Sequence, residues 1–125
     1  MIIGIGFDII EVSRIESAIN RWGSRFEKRV FTEKEICYCK SKKDRFQRLA
    51  CRFAAKEALF KALGTGWRNK MKWTEIEVHN DGLGKPYLSL SGETQKVSQQ
   101  LGVNKIFLSI TSTQNYGSAQ VILEG

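Results

Sequence analysis

Residues 44–66 read DRFQRLACRFAAKEALFKALGTG, and the fold turns on them. Leu49, Ala50, Phe53, Ala54, Leu59, Phe60 and Leu63 recur at mixed spacings of three and four, with no Pro or Gly before position 64. That is the period of one buried helical face. It predicts a single long helix from Asp44 that stops at Gly64, where a residue tolerant of positive φ closes the last turn. Charge is embedded in this helix. Glu57 and Lys61 stand four apart on one side, with Ala50, Phe53 and Ala54 along or beside it. Such a pair can simply support the helix, by about 0.2–0.5 kcal/mol. A carboxylate and an ammonium rising from a small-residue surface also suit a metal-bridged phosphate. A second row, Arg45, Arg48, Arg52 and Lys56, steps by three and four into a basic stripe nearby.

Upstream, Met1–Ile10 (MIIGIGFDII) is a short Ile-rich run that predicts a buried strand, and Gly4 and Gly6 let another backbone approach closely. The Gly-x-Gly is no dinucleotide fingerprint, because the third Gly would fall at Ile9. Asp8 places a charge in that strand. A buried carboxylate requires a metal or a charged partner, or else backbone N–H donors near the strand end, and the residues alone leave both readings open. Ser13 with Glu16 reads as a capping box opening a helix through Trp22, with Ile15, Ala18, Ile19 and Trp22 on its apolar face. Arg14, Arg21, Arg25, Lys28 and Arg29 then run as a basic series into Phe26, Val30 and Phe31, either a solvated face or a surface for a partner. Thr32 with Glu35 is a second capping box, opening a helix to about Cys39 before the polar break Ser41–Asp44.

Downstream, Gly66–Trp73 is a basic loop flanked by Trp, and Glu75–His79 alternates as a strand does. Asn80–Gly84 (NDGLG) is turn chemistry, and Lys85–Leu90 is the return strand with Pro86 near its start. Ser91–Leu101 predicts a mostly polar helix, and Lys105–Thr111 and Tyr116–Leu123 two closing strands around Ser112–Asn115. Helices and strands are segregated, so the expected class is α+β, one domain over 1–125 with a largely antiparallel sheet packed on the long central helix.

No apolar run approaches the ~20 residues of a membrane span, and the N-terminus lacks the features of a signal peptide. Cys37, Cys39 and Cys51 are odd in number, so a fully paired disulfide framework is excluded and a cytoplasmic setting is expected. Cys37-x-Cys39 has the wrong spacing for a zinc pair and His79 is the sole histidine, so these read as buried thiols beside Tyr38. The formal net charge of +7 points to an acidic partner, whether nucleic acid, anionic protein or phosphorylated small molecule.

Taken in order, these segments resemble the holo-acyl-carrier-protein synthases, the small group of 4′-phosphopantetheinyl transferases. Gly4-Ile5-Gly6-Phe7-Asp8 resembles the opening motif and Phe31-Thr32 with Glu35 the second. Arg52-Phe53-Ala54-Ala55-Lys56-Glu57-Ala58 running into Lys61-Ala62-Leu63-Gly64-Thr65-Gly66 is similar to the most diagnostic one. Ile76-Glu77-Val78, Gly84-Lys85-Pro86, and Ser109-Ile110-Thr111 with Tyr116 and Ala119 continue the match. The resemblance implies transfer of 4′-phosphopantetheine from coenzyme A to a serine of apo acyl-carrier protein, with adenosine 3′,5′-bisphosphate released. It implies Mg²⁺ on Asp8 and Glu57, with Lys61 against a phosphate and Glu57 or a metal-bound water as candidate base. Phosphoryl transfer needs chiefly positioning and charge neutralisation, and Mg²⁺ accepts one or two carboxylates, so the residue types suit the chemistry. By the same resemblance Arg52, Lys61, Gly64, Thr65, Gly66 and Ser112 meet coenzyme A, and Arg14, Arg21, Arg25 and Lys28 dock the acidic carrier protein. Members are homotrimers with active sites between subunits. One departure stands out: the family usually carries His, near the coenzyme's nucleotide portion, where this chain has Ser112. Two other readings use the same residues. A carrier-protein-binding homologue impaired in transfer accommodates Ser112. A basic nucleic-acid-binding module explains +7 but not Asp8 and Glu57, so no nucleic acid is expected.

Overall fold

The computed structural model describes residues 1–66 and 70–125, so positions 67–69 of the expected Trp-flanked loop lie outside the described residues. The chain runs β1 (Ile2–Glu11), α1 (Val12–Trp22), α2 (Ser24–Val30), α3 (Glu33–Lys40), α4 (Arg45–Ala62), a 3-10 turn (Trp73–Glu75), β2 (Ile76–Asn80), β3 (Pro86–Leu90), α5 (Gly92–Gln100), β4 (Lys105–Ser112) and β5 (Tyr116–Glu124). The α+β class holds, and every pairing is antiparallel. The strands form two sheets rather than one, β1-β5-β4 and the hairpin β2-β3. Among the described residues no helix is long and apolar enough to cross a membrane.

The apolar period of α4 becomes its packed face: Leu49, Ala50, Ala54, Ala58 and Leu59 are fully buried against the rest of the core. The alanines let the helix lie close on β1 and β5. Gly4 and Gly6 complete that approach. A Cβ at Gly6 would stand 1.7 Å from the Ala58 carbonyl oxygen, and one at Gly4 2.0 Å from that of Ala62. No other residue fits there. Since side chains alternate along a strand, Asp8 faces α4 like Gly4 and Gly6. Gly64, with φ of 76°, ends the helix as expected, its N–H reaching the Lys61 carbonyl at 3.0 Å.

The opposite face of β1 departs from the expected buried strand. Ile5, Phe7 and Ile9 are 57, 56 and 59% exposed, because within one chain nothing covers that side. In register beside them, Ile5 pairs with Ile122 and Ile122 with Phe107, so the outward face of this sheet is broadly apolar.

Ser13 does not cap α1. The Val12 N–H is held by the Asn115 carbonyl at 2.8 Å, so the helix starts one residue after the strand and Ser13 falls inside it. The basic series beyond Gly23 is helical too, as α2. The Thr32–Glu35 box forms as read, with Thr32 N donating to Glu35 Oε1 at 2.9 Å. Glu35 then does more. Lys56, fully buried, donates to Glu35 Oε1 at 2.7 Å, to the Val30 carbonyl at 2.7 Å and to the Trp73 carbonyl at 3.2 Å. Glu35 Oε2 accepts from Val78 N at 2.9 Å. The expected basic stripe therefore dissolves: Lys56 points inward, Arg45 pairs with Glu27 at 3.1 Å and Arg48 with Asp44 at 2.7 Å.

Helix α5 is capped from a distance. Glu75 accepts from Glu93 N, Thr94 N and Thr94 Oγ1 at 3.0, 3.1 and 2.8 Å, and from Lys72 N at 3.1 Å. Burial pushes the Glu75 carboxyl up, but these donors outweigh it and hold it below its usual value. A depressed carboxyl contributes stability above its unfolded value and loses it as pH falls through the folded one. Glu75→Gln should therefore cost about 1 kcal/mol at neutral pH. The difference in Tm from wild type should narrow as pH falls below the carboxylate range, and a pH-independent difference would contradict the cap.

Candidate active site

Asp8 and the second half of α4 meet at the free edge of β1. Lys61 Nζ donates to Asp8 Oδ1 at 3.0 Å and to the Phe7 carbonyl at 3.1 Å. Among the described residues it bridges Asp8 and forms no ion pair with Glu57, so the helix-supporting i,i+4 reading of Glu57 and Lys61 is not what the geometry holds. Glu57 lies one turn back on the same helix and is half-buried. Burial pushes its carboxyl up, and the Asp8 carboxylate beside it pushes further, against Lys61 and Arg14. Two carboxylates thus share one edge with a lysine and an arginine.

That donor set fits Mg²⁺. Among the described residues no group of three or more His, Cys, Asp and Glu side chains converges, so a full protein cage is not on offer. Mg²⁺ uses one or two carboxylates with waters and phosphate oxygens. A carboxyl destabilised by burial and by a second carboxylate is one that a divalent cation relieves. Gly64, Thr65 and Gly66 follow directly, with φ of 76° and 62° at the two glycines and nothing among the described residues where a Cβ would stand.

Arg52 and Ser112 lie elsewhere, on a cavity of about 280 Å³ whose wall also includes Gln47, Arg48 and Asn80. Arg52 is 5% exposed, donates from Nη2 to Asn80 Oδ1 at 3.0 Å and lies 4.7 Å over the Tyr38 ring. Its buried Nε has no partner among the described residues. Gln47 Nε2 donates to Ser112 Oγ at 2.8 Å. Gln47 and Asn80 were not singled out by sequence. Gln47 was an ordinary polar position of a helix, and Asn80 was absorbed into a turn.

Within one chain the two groups stand apart. Arg52 and Lys61 are about 13 Å apart along the helix axis. Asp8 sits on β1 and Ser112 at the end of β4, on opposite edges of the sheet with β5 between them. The basic residues Arg14, Arg21, Arg25 and Lys28 are exposed on α1 and α2, without ion pairs among the described residues. Arg14 is close enough to Glu57 to act on its ionisation. Arg21 stacks 5.0 Å over Trp22. Of the cysteines, Cys39 and Cys51 are buried but Cys37 is exposed, which corrects the reading of all as buried thiols. His79 is bound to Ser89 Oγ at 2.7 Å and stacked on Tyr87, a structural role.

A small α+β chain with paired carboxylates and a lysine on a strand-helix edge has known counterparts. It belongs to the 4′-phosphopantetheinyl transferase superfamily, whose family model matches residues 4–121. It is 52% identical over 125 residues to the holo-[acyl-carrier-protein] synthase of Clostridium tetani, covering 100% of this chain and 98% of that one. It is 50% identical over 124 residues to that of Solibacter usitatus, covering 99% of each. The crystal structure of the Neisseria meningitidis holo-[acyl-carrier-protein] synthase matches with a TM-score of 0.92 at 34% identity, over 100% of both chains. A Bacillus anthracis holo-(acyl-carrier-protein) synthase in complex with CoA (3′,5′-ADP) matches with a TM-score of 0.81 at 40% identity, over 98% of this chain and 96% of that one. Within the superfamily the chain is an enzyme of the holo-[acyl-carrier-protein] synthase group.

Proposed function

We propose that the chain moves 4′-phosphopantetheine from coenzyme A to a serine of apo acyl-carrier protein, dependent on Mg²⁺ held by Asp8 and Glu57, and releases adenosine 3′,5′-bisphosphate. The observation that carries this is Asp8, held by Lys61, with the Glu57 carboxylate beside it on the same edge. Mg²⁺ bound there supplies neutralisation of the pyrophosphate charge.

The chain's own groups do the rest. Lys61, 52% exposed at its side chain, exchanges Asp8 for a phosphate oxygen and neutralises charge as the transferring phosphorus is attacked. The serine oxygen forms its bond to the β-phosphorus while the bond from that phosphorus to the bridging oxygen breaks. Glu57, or a water held beside it, takes the serine proton. Gly64, Thr65 and Gly66 let backbone lie close to the pantetheine side. Arg52 and Ser112 hold the nucleotide end in their cavity, where the Arg48 and Arg52 guanidinium groups favour an anionic occupant.

With Ser112 on the far edge of the sheet from Asp8, we read the complete site as composed from two copies, as in a homotrimer. The apolar outward face carrying Ile5, Phe7, Ile9 and Phe107, each about half exposed, supports that assembly. Arg14, near Glu57, and the exposed Arg21, Arg25 and Lys28 that follow it on α1 and α2 suit the acidic carrier protein, steering encounter and fixing register.

The test is a mass spectrum of apo acyl-carrier protein incubated with this chain, coenzyme A and Mg²⁺, beside an EDTA control. The expected result is a phosphopantetheine mass gain that EDTA abolishes. Binding of coenzyme A or carrier protein without any gain would replace the proposal with a binding homologue.

A further inference from the structure

We infer that Gln47 is a positioning residue for coenzyme A: by donating to Ser112 it turns that hydroxyl into a fixed donor for the coenzyme's 3′-phosphate. This rests on the assignment of the Arg52–Ser112 cavity to the coenzyme. A hydroxyl has one proton and two lone pairs. The Gln47 amide occupies a lone pair of Ser112 Oγ at 2.8 Å, so the Ser112 proton must be given elsewhere. Ser112, exposed on the cavity wall, can give that proton to a phosphate oxygen entering the cavity, and the donor chain from Gln47 through Ser112 is already aligned.

The cavity suits a phosphate. Arg48 and Arg52 stand on its wall, and Asp44, the carboxylate there, is tied to Arg48 at 2.7 Å. That leaves the Arg52 charge uncompensated by an ion pair among the described residues. With the pyrophosphate assigned to Asp8, Glu57 and Lys61, the phosphate of coenzyme A left for this cavity is the 3′ one. Where the family usually places a histidine, this chain uses two neutral side chains in series.

The experiment compares wild type, Gln47→Met, Gln47→Glu, Ser112→Ala and the Gln47→Met/Ser112→Ala double variant in steady-state transfer with coenzyme A and with dephospho-coenzyme A. Gln47→Met should raise KM for coenzyme A about tenfold with kcat within about twofold. Gln47→Glu should raise it further, because it brings a negative charge and takes the Ser112 proton for itself. The double variant should be no worse than Ser112→Ala alone, since Gln47 acts through Ser112. With dephospho-coenzyme A the KM penalty of Gln47→Met should shrink to within about twofold. Equal penalties with both coenzymes, additive penalties in the double variant, or no penalty at all would each overturn the inference while leaving transfer itself intact. Should wild type transfer nothing, the proposed transfer fails while coenzyme binding is still measurable. Calorimetric binding of adenosine 3′,5′-bisphosphate against adenosine 5′-monophosphate then decides the inference: a Gln47-dependent preference for the bisphosphate upholds it and none overturns it.

Discussion

Glu57→Gln is expected to yield a folded protein whose transfer rate is at least about 10³-fold below wild type, the scale for removing a directed electrostatic partner of a transferring group. The substitution keeps shape and removes the charge that, with Asp8, is proposed to hold Mg²⁺ and to take the serine proton. Its effect on stability should run the other way. Burial and then the Asp8 carboxylate push the Glu57 carboxyl up. A carboxyl raised on folding contributes stability that is complete below its unfolded value and is lost as pH rises through the folded value. Near neutral pH, without metal, the ionised Glu57 is therefore a burden on the fold. A neutral amide in its place lifts that burden, so the Tm of Glu57→Gln should equal or exceed wild type in EDTA, with the gap closing as pH falls. Added Mg²⁺ should raise the Tm of wild type and leave the variant unmoved. Full transfer activity in Glu57→Gln, or an equal response of both proteins to Mg²⁺, would remove the metal from the proposal.

Lys56→Met carries the second large effect, and it falls on folding rather than chemistry. Lys56 and Glu35 are fully buried, and the lysine spends its three donors on Glu35 and on the carbonyls of Val30 and Trp73. Breaking such a pair from one side strands the other charge and costs about 3–5 kcal/mol. Against a total stability of about 5–15 kcal/mol, that brings the chain near unfolding. The Glu35→Gln/Lys56→Met double variant leaves no buried charge at this point and should recover much of the loss. Urea denaturation midpoints would measure both, and a Lys56→Met midpoint close to wild type would show that the network does not hold α3 to α4.

What was legible in the sequence was local chemistry. The Thr32–Glu35 box, the Gly64 stop and the Asn80–Gly84 turn each depend on residues within a few positions, and each formed. Asp8 and Glu57 stood out because a carboxylate among apolar or small residues has few innocent explanations. The failures share a different cause, partners distant in the chain. Helical spacing put Lys56 in a row with Arg45, Arg48 and Arg52, but Glu35, twenty-one residues earlier, draws it inward. Helix α5 is capped by Glu75 rather than by a residue beside it. Lys61 answers Asp8, fifty-three positions away, in preference to its helical neighbour Glu57. The exposed face of β1 was hidden for a related reason: an Ile-rich run signals burial without saying whether its cover comes from the same polypeptide.

The placement of Asp8 and Ser112 on opposite edges of one sheet has a genetic consequence. In the proposed ring each chain lends its acidic half to one site and its cavity to another. A chain inactivated at Asp8 and a chain inactivated at Arg52 are then not equivalent defects. Co-expressed in equal amounts, they should complement, with about one site in four receiving an intact half from each parent under random mixing. Two alleles damaged in the same half would remain silent together.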